Sequence, residues 1–469
     1  MKIVIATAVY YPQINGVAVF SHNLARGLAQ RGHEVVVIAP SATGRASVKT
    51  EEGVRVCRLK SVDVKVYPDQ IHKVPAKRKI KGVSVPRVFY KHGLRVAVFP
   101  RREVKQILAK FQPDVVHVQV SDPIGLSVMA QARKMGVPVV TTEHNRPEVL
   151  TDSLKLPGLL KRGVNKGLSG YFRARHRKSD FVTMPTELAI RELFGGGLAG
   201  RSGLLAGRGW SVRWRDASAG RAKWCGTELV RKDGSVIPIA AVSNGVDLKH
   251  FHAGKASAEV YRKYKLDETA FTVLYVGRLD PEKEVGVVTK AFLKLKAKVS
   301  QVAEAPKMQL VIAGDGVDRA KLEEMAKNEP SVHFLGRVAQ DELYEVYRLG
   351  EVFVTASPIE TQGIVLVEAA ASGLPLVAVN RGAVAEVCQD GQNGFLIDIS
   401  PRENESKKQG REREISAISD ALERILLDGE LRKKFSKKSL EIAKEHDFER
   451  TLDRFENIYR KVVAGQVGF

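Results

Sequence analysis

Short apolar runs alternate with longer amphipathic stretches along most of this chain. Residues 2–8 (KIVIATA) carry mainly apolar or small side chains, as a strand buried on both faces requires. A loop follows, Tyr10-Tyr11-Pro12-Gln13-Ile14-Asn15-Gly16. Apolar residues then return at helical spacing, at Val19, Leu24 and Leu28, and this stretch closes on Arg31-Gly32. Residues 34–40 (EVVVIAP) predict the second strand of a βαβ unit. The alternation continues with strands at 114–120, 139–144, 181–185 and 237–247 and a helix over 124–135. A second series starts after Asn244-Gly245-Val246-Asp247, with strands at 272–279, 308–316, 333–338, 351–357, 374–380 and 394–398. Helices fill its gaps up to residue 299 and at 318–327, 340–349 and 363–373, and three more, 415–426, 430–445 and 449–464, end the chain. The expected fold is therefore α/β, with parallel sheets covered on both faces, in two halves that meet near residue 245. Ligands of open α/β sheets bind outside the carboxyl ends of the strands, so a cleft between two such sheets is the expected site.

One stretch breaks the pattern. Residues 194–229 hold Trp210, Trp214, Trp224 and Cys225, show no clear period, and are rich in glycine, which disfavours helix and strand alike. Removing them joins TELAIREL to VRKDGSVIPIAAVSNGVD, an ordinary helix, turn and strand. The stretch reads as a 36-residue insertion into a surface turn.

Charge divides the halves. The chain has 469 residues and a net charge of +22, yet residues 245–469 are net −2 and the first 244 are net +24. The excess concentrates in 60–105 (+10), 151–180 (+6) and 195–226 (+5). A basic half joined to a neutral half suggests a divided task rather than loose nucleic-acid binding. No helix-turn-helix, RNP or KH signature is present, so nucleic acid is not an expected partner. In 151–180, Leu156, Leu160, Val164, Leu168 and Tyr171/Phe172 form an apolar stripe beside Lys155, Lys161, Arg162, Lys166, Arg173, Arg175, Arg177 and Lys178. That arrangement suits a helix lying on an anionic membrane, or one packing its stripe on the core. Pro157, Gly158, Gly163, Gly167 and Gly170 weaken it as a regular helix. Residues 60–105, with Lys77-Arg78-Lys79, Arg101-Arg102, Phe89, Tyr90 and Phe99, read as a basic loop region. Cys57, Cys225 and Cys388 are too few and too scattered for a disulfide framework or a zinc site, and a reducing cytosol is expected. No run of ~18 apolar residues predicts a membrane span.

The chemistry concentrates in two short segments. In 355–382, Glu360 falls in a loop after a strand and Glu368 in the second turn of the next helix. Gly363, at the start of that helix, lies where free backbone N–H groups can hold an anion. Two carboxylates flanking an anion cradle suit a sugar and a ribose on either side of a diphosphate; singly, they also fit a solvated loop and a helix face. Gly277-Arg278-Leu279-Asp280-Pro281-Glu282-Lys283 places two cations at the carboxyl end of a strand, where Arg can chelate phosphate oxygens and Lys acts as a point charge. The plainer reading is a strand-to-helix turn with surface charge pairs.

In order along the chain, NGV at 15–17, SNGVD at 243–247, VGRLDPEK at 276–283, AGDG at 313–316, the paired-glutamate segment and ASGLP at 371–375 resemble glycosyltransferase family 4. The ETQG at 360–363 is similar to the diacylglycerol glucosyltransferase branch. The resemblance implies the GT-B fold: an acceptor-binding Rossmann-like domain at 1–244, a nucleotide-sugar-binding one at 245–448 facing it across a cleft, and a helix at 449–469 packing back on the first. It implies that Arg278 and Lys283 hold the donor diphosphate, with Gly277, Gly314 and the Thr361-Gln362-Gly363 backbone beside the donor. Glu368 would take the ribose hydroxyls and Glu360 would face the sugar. Gly16 would let the first-domain loop approach the diphosphate, and His144 would lie near the transferred sugar. His117 matches a position often histidine in the family, though an inward histidine on a core strand also fits a structural role.

The expected reaction is a retaining, metal-independent transfer from a UDP- or GDP-sugar, with no other cofactor. The expected partners are a lipid acceptor and an anionic membrane surface, at the cytosolic face of the cell membrane. A family 4 transferase acting on a glycan or small molecule, a sugar-nucleotide epimerase and a non-catalytic sugar-nucleotide binder are the alternatives.

Overall fold

In the computed structural model the chain divides into two compact units, Met1–Ser243 with Thr451–Phe469, and Asn244–Arg450. The structure describes residues 1–13, 15–64, 79–80, 83–84, 94–119, 122–144, 158–194, 210–214, 227–231, 234–301 and 306–466.

The first unit is built on a ten-stranded sheet. Its strands are β1 (Lys2–Ala6), β2 (Glu34–Pro40), β3 (Ser47–Glu51), β4 (Val54–Leu59), β9 (Val115–Val118), β10 (Val139–Thr142), β11 (Phe181–Met184), β12 (Trp210–Trp214), β13 (Thr227–Arg231) and β14 (Val236–Ala241). Strands β5 (Ser61–Val64) and β8 (Leu94–Ala97), and β6 (Lys79–Ile80) and β7 (Val83–Ser84), pair outside it. The order β12-β13-β14-β11-β10-β9-β1-β2-β4-β3 puts β1 beside both β2 and β9, so the connections change direction there. From β14 through β4 all pairings are parallel, and β1, β9, β10 and β11 are buried nearly throughout, as sheets covered on both faces require. Helix α1 (Gly16–Gln30) buries Phe20, Leu24 and Leu28 on one face, and Asn15 caps it by accepting a hydrogen bond from the Ala18 amide at 2.9 Å. Helices α2 (Arg101–Phe111) and α3 (Pro123–Lys134) pack together over a core of Val104, Leu108, Ile124 and Val128. Helices α4 (Gly158–His176) and α5 (Glu187–Phe194) complete this part of the chain.

Three expectations need correction here. Residues 60–105 are not simply loop: β5 and β8 pair antiparallel, β6 and β7 form a short hairpin, and α2 begins at Arg101. The basic residues of RREVKQILAKF obscured Val104 and Leu108, whose i,i+4 spacing gives the helix its buried face. Lys77, Arg78, Phe89 and Tyr90 lie outside the described residues. Helix α4 forms despite its four glycines; Phe172 packs against the cluster containing Ile190 and Leu193, while Leu160 and Tyr171 are exposed. That tertiary burial offsets a cost of about 1 kcal/mol per interior glycine. Leu156 lies outside the described residues.

The stretch 194–229 is also more regular than its glycine content suggests. Strand β12 pairs antiparallel with β13, and β13 antiparallel with β14, so the segment extends the sheet edge. Phe194, Glu228 and Leu229 are buried, so both ends belong to the unit's core rather than to a surface turn. Trp224 and Cys225 lie outside the described residues; Cys57 and Cys388 are buried thiols.

The second unit holds β15 (Phe271–Val276), β16 (Met308–Ala313), β17 (Val332–Gly336), β18 (Val352–Thr355), β19 (Leu376–Val379) and β20 (Gly394–Ile397), all parallel, in the order β17-β16-β15-β18-β19-β20. Counted within the unit this is 3-2-1-4-5-6, the order of a dinucleotide-binding fold, with its switch point between β15 and β18. Its helices are α6 (Ala258–Tyr264), α7 (Val285–Val299), α8 (Arg319–Met325), α9 (Leu343–Tyr347), α10 (Ile364–Ala371), α11 (Lys407–Leu427) and α12 (Gly429–Ala443). One face of the sheet is covered by α7 packed on α11, and the other by α10 packed on α12. Helix α11 begins eight residues before the expected 415, at a capping box in which Ser406 and Gln409 bond each other's backbone amides. The final helix, α13 (Phe448–Val463), returns to the first unit, where Phe455 and Tyr459 are fully buried.

Candidate active site

The candidate residues of the second unit gather at the switch point of its sheet. Gly277 and Arg278 follow β15, and a single 3-10 turn, Pro281–Lys283, ends the excursion. Tyr275, at the strand's last turn inward, donates its hydroxyl to the Arg278 carbonyl at 3.0 Å, fixing the backbone that presents the guanidinium. Gly314 follows β16 against the same backbone: a Cβ there would lie 1.8 Å from the Gly277 carbonyl oxygen. Arg278 is largely exposed and pairs with Asp280 and Glu282. Lys283 reaches across 77 residues of sequence to Glu360, Nζ to Oε1 at 2.6 Å, with the two side chains only 19% and 13% exposed. Glu360 follows β18, so this pair straddles the point where the strand order reverses.

The loop after Glu360 is tightly built. The Gln362 side chain accepts a hydrogen bond from the Asn244 amide at 3.0 Å, and Ala383 N–H donates to the Glu360 carbonyl at 3.1 Å. Gly363 caps α10 in the left-handed region at φ 71°, where a Cβ would also crowd Leu366 Cδ1 at 2.9 Å. The Leu366 amide donates to the Gly363 carbonyl at 2.8 Å, and the Ile364 and Val365 amides before it lie ahead of any intrahelical acceptor. Thr361 stands between Glu360 and Gln362, held by the bonds to Ala383 and Asn244 respectively. Glu368, in the second turn of α10, is buried and accepts the Tyr347 hydroxyl at Oε2, 2.7 Å. Burial pushes its pKa up to about 7, and the Tyr347 hydrogen bond opposes that rise.

The first unit places its candidates at the carboxyl ends of its own strands. Gly16 opens α1 beyond the β1 loop, with open space where a side chain would start. His144 stands two residues past β10, its Nε2 2.8 Å from Gln119 Oε1 and its ring 5.3 Å from Phe20 of α1. Burial lowers its pKa to about 4, so the imidazole is neutral at pH 7. His117, on β9, is wholly buried with both ring nitrogens engaged: Nδ1 with Tyr459 Oη at 2.6 Å and Nε2 with Thr142 Oγ1 at 2.7 Å. It is a core histidine tying α13 to the sheet.

Sequence reasoning missed Tyr275, Tyr347 and Gln119, each of which touches a candidate residue or its backbone. In the sequence Tyr347 is one apolar position of a helix, and only its carboxylate partner 21 residues on gives it a role.

The family model for Glycosyltransferase Family 4 matches residues 14–200 and that for Glycosyl transferases group 1 matches residues 257–441. An alpha-monoglucosyldiacylglycerol synthase of Acholeplasma laidlawii is 25% identical over 85% of this chain and 85% of its own length. A GDP-mannose-dependent alpha-mannosyltransferase of Mycobacterium tuberculosis is 26% identical over 86% and 85%. Among solved structures, HepE of Anabaena in complex with UDP-glucose superposes with a TM-score of 0.60 at 14% identity, covering 98% of this chain and all of that one. The match to the two models in succession, over two Rossmann-like units, means that the chain belongs to the family 4 glycosyltransferases of the GT-B fold.

Proposed function

We infer that this glycosyltransferase moves a hexose from a UDP- or GDP-sugar to a lipid acceptor at the cytosolic face of a membrane, with retention of anomeric configuration. The observation that carries the reading is the Lys283–Glu360 pair at the switch point, with Arg278 beside it: two cations and a carboxylate where a diphosphate joined to a sugar would sit. Arg278 and Lys283 would exchange carboxylate partners for diphosphate oxygens. Charge that develops on the leaving diphosphate is then met by preorganised cations and the amides of α10, so the transfer is read as metal-independent and without a further cofactor. Glu360, released from Lys283, would accept hydrogen bonds from the sugar, and Glu368 from the ribose. In the first unit His144, neutral and held by Gln119, would serve as a hydrogen-bonding group near the sugar, and Gly16 would admit the diphosphate.

In the transfer, the acceptor hydroxyl oxygen bonds the anomeric carbon as its bond to the diphosphate breaks. The hydroxyl proton passes to the departing diphosphate oxygen on the same face, which retains configuration. The donor reading has support in the relatives' names, which include a user of GDP-mannose and a protein crystallised with UDP-glucose. The lipid acceptor rests on the glucosyldiacylglycerol synthase among them and on the basic first unit, through 60–105 and 151–180. No helix among the described residues is long and apolar enough to cross a membrane, and attachment is read as peripheral.

A panel of UDP- and GDP-hexoses with a lipid-extract acceptor, read by mass spectrometry, tests the assignment. A single donor yielding a glycolipid is expected, with turnover reduced at least about a hundredfold by Arg278→Ala and by Lys283→Ala. Wild-type turnover in those variants would sink the donor site, and a water-soluble product alone would sink the lipid acceptor.

A further inference from the structure

Tyr347 and Glu368 form a closed pair inside the second unit. Tyr347, the last residue of α9, is completely buried, and Phe251 and Phe353 flank its ring at centroid distances of 5.7 and 6.2 Å. A ring held this way points its hydroxyl in one direction. Its single proton has two acceptors in reach, Glu368 Oε2 at 2.7 Å and the Val365 carbonyl at 3.4 Å, and the shorter, charge-assisted bond wins. Burial and the adjacent carboxylate push the phenol's own pKa upward, so it remains a donor across the physiological range. Among the described residues this is the one side-chain hydrogen bond Glu368 makes, which leaves Oε1 as the acceptor still to be used.

We propose that Tyr347 is a positioning residue for the nucleotide, holding Glu368 as an ionised carboxylate with one oxygen turned to the ribose hydroxyls. The inference rests on the donor reading given above. Ribose hydroxyls need an acceptor, and a protonated carboxyl spends part of its capacity on its own proton. Glu368 is poised for that loss, because burial holds its pKa at about 7 even with Tyr347 favouring the charged form. Tyr347 is the one titratable group acting on Glu368 among the described residues, and Tyr275 of β15 acts on Tyr347 in turn. Removing the hydroxyl removes a stabiliser of the ionised state, so the carboxyl pKa must rise. Nucleotide affinity should then fall at neutral pH and recover in alkali.

The test is calorimetric titration of the full chain with UDP and with GDP between about pH 6 and about pH 9, in wild type, Tyr347→Phe and Glu368→Gln. Glu368→Gln has no carboxyl to titrate, so its profile supplies the baseline for the diphosphate's own ionisation. Against that baseline, wild-type affinity should rise through a midpoint of about 7. In Tyr347→Phe the midpoint should move up by about one pH unit, leaving affinity down about fivefold at neutral pH and within about threefold in alkali. An unmoved midpoint, or an equal loss at every pH, overturns the proposal and makes Tyr347 a packing residue. Wild-type affinity in Glu368→Gln at every pH would overturn the ribose reading, and this inference with it. Should Tyr347→Phe fail to fold, uniform 3-fluorotyrosine in the wild-type sequence tests the same bond, since its more acidic hydroxyl is a stronger donor. The midpoint should then move down, and one that stays in place overturns the proposal.

Discussion

At Gly314 a single methyl group would decide whether two loops can coexist. The backbone there adopts φ 149°, and a Cβ would overlap the Gly277 carbonyl at 1.8 Å. Backbone cannot swing aside as a side-chain tip can, so Gly314→Ala must displace the turn that presents Arg278. The expected cost is about 3 kcal/mol of stability with weakened nucleotide binding, measured by urea unfolding and calorimetry. The buried histidines give a second prediction, with a sign fixed by their burial. His117 and His144 have pKa values lowered to about 3 and about 4, so the unfolded chain binds their protons first as pH falls. Their stabilising contribution is complete above the ordinary imidazole range and is lost as pH drops from about 6.5 towards 4. Two extra protons on the unfolded state give a slope of about 2.7 kcal/mol per pH unit, and His117→Asn should halve that part of it. An unchanged acid slope in urea midpoints would count against neutral burial of His117. At this scale the sequence showed what is local. Arg278, Lys283, Glu360 and Glu368 sit in short motifs, whereas Tyr347 and Gln119 acquire meaning only from partners that folding brings to them.

Among the elements, the joint between the 3-10 turn and α7 is the informative one. Glu284 takes up the left-handed conformation at φ 50°, one residue after Lys283, and Arg411 of α11 grips its carboxylate through both guanidinium nitrogens. A non-glycine residue in that region costs on the order of 1 kcal/mol, and a partly exposed ion pair returns about as much. Arg411 therefore holds the kink that aims Lys283. Arg411→Ala should weaken UDP or GDP binding about threefold, and Glu284→Gly, which adopts the kink freely, should restore it when the two are combined. Simple addition of the two losses would instead assign Arg411 to stability alone. The apolar runs of β1, β2, β9, β15 and β16 were legible because both faces of a parallel sheet are buried, leaving no polar alternation to dilute the signal. Helix α2, the start of α11 and strand β12 were not. Charge, a polar first turn and glycine content respectively outweighed the period there, and only the Ser406–Gln409 capping box offered a written clue.

For the molecule as a whole, the division of charge outlasts every local correction. The first 244 residues carry net +24 and the remainder −2, and the sheet topology shows that the neutral half is the dinucleotide-type unit. The proposed diphosphate site there would draw on a few placed cations, whereas the excess of the first 244 residues lies in three basic segments, as attraction to an anionic surface would use. Lys166 on α4 and Lys178 just beyond it are exposed, and α4 also carries the exposed Leu160 and Tyr171. Arg175 stacks over the Tyr171 ring at 4.4 Å, holding an aromatic group at the basic surface. Vesicles containing phosphatidylglycerol should sediment the protein at low salt and release it by about 0.5 M, where the Debye length has fallen to a few ångströms. Lys166→Glu with Lys178→Glu should weaken that binding by about 1 kcal/mol for each charge removed, and more for the reversal, without touching UDP or GDP affinity. Equal binding to neutral phosphatidylcholine vesicles, or indifference to salt, would mean that the apolar residues act without the charge. The +24 would then be a solubility feature, and the proposed lipid acceptor would lose the support of the basic surface.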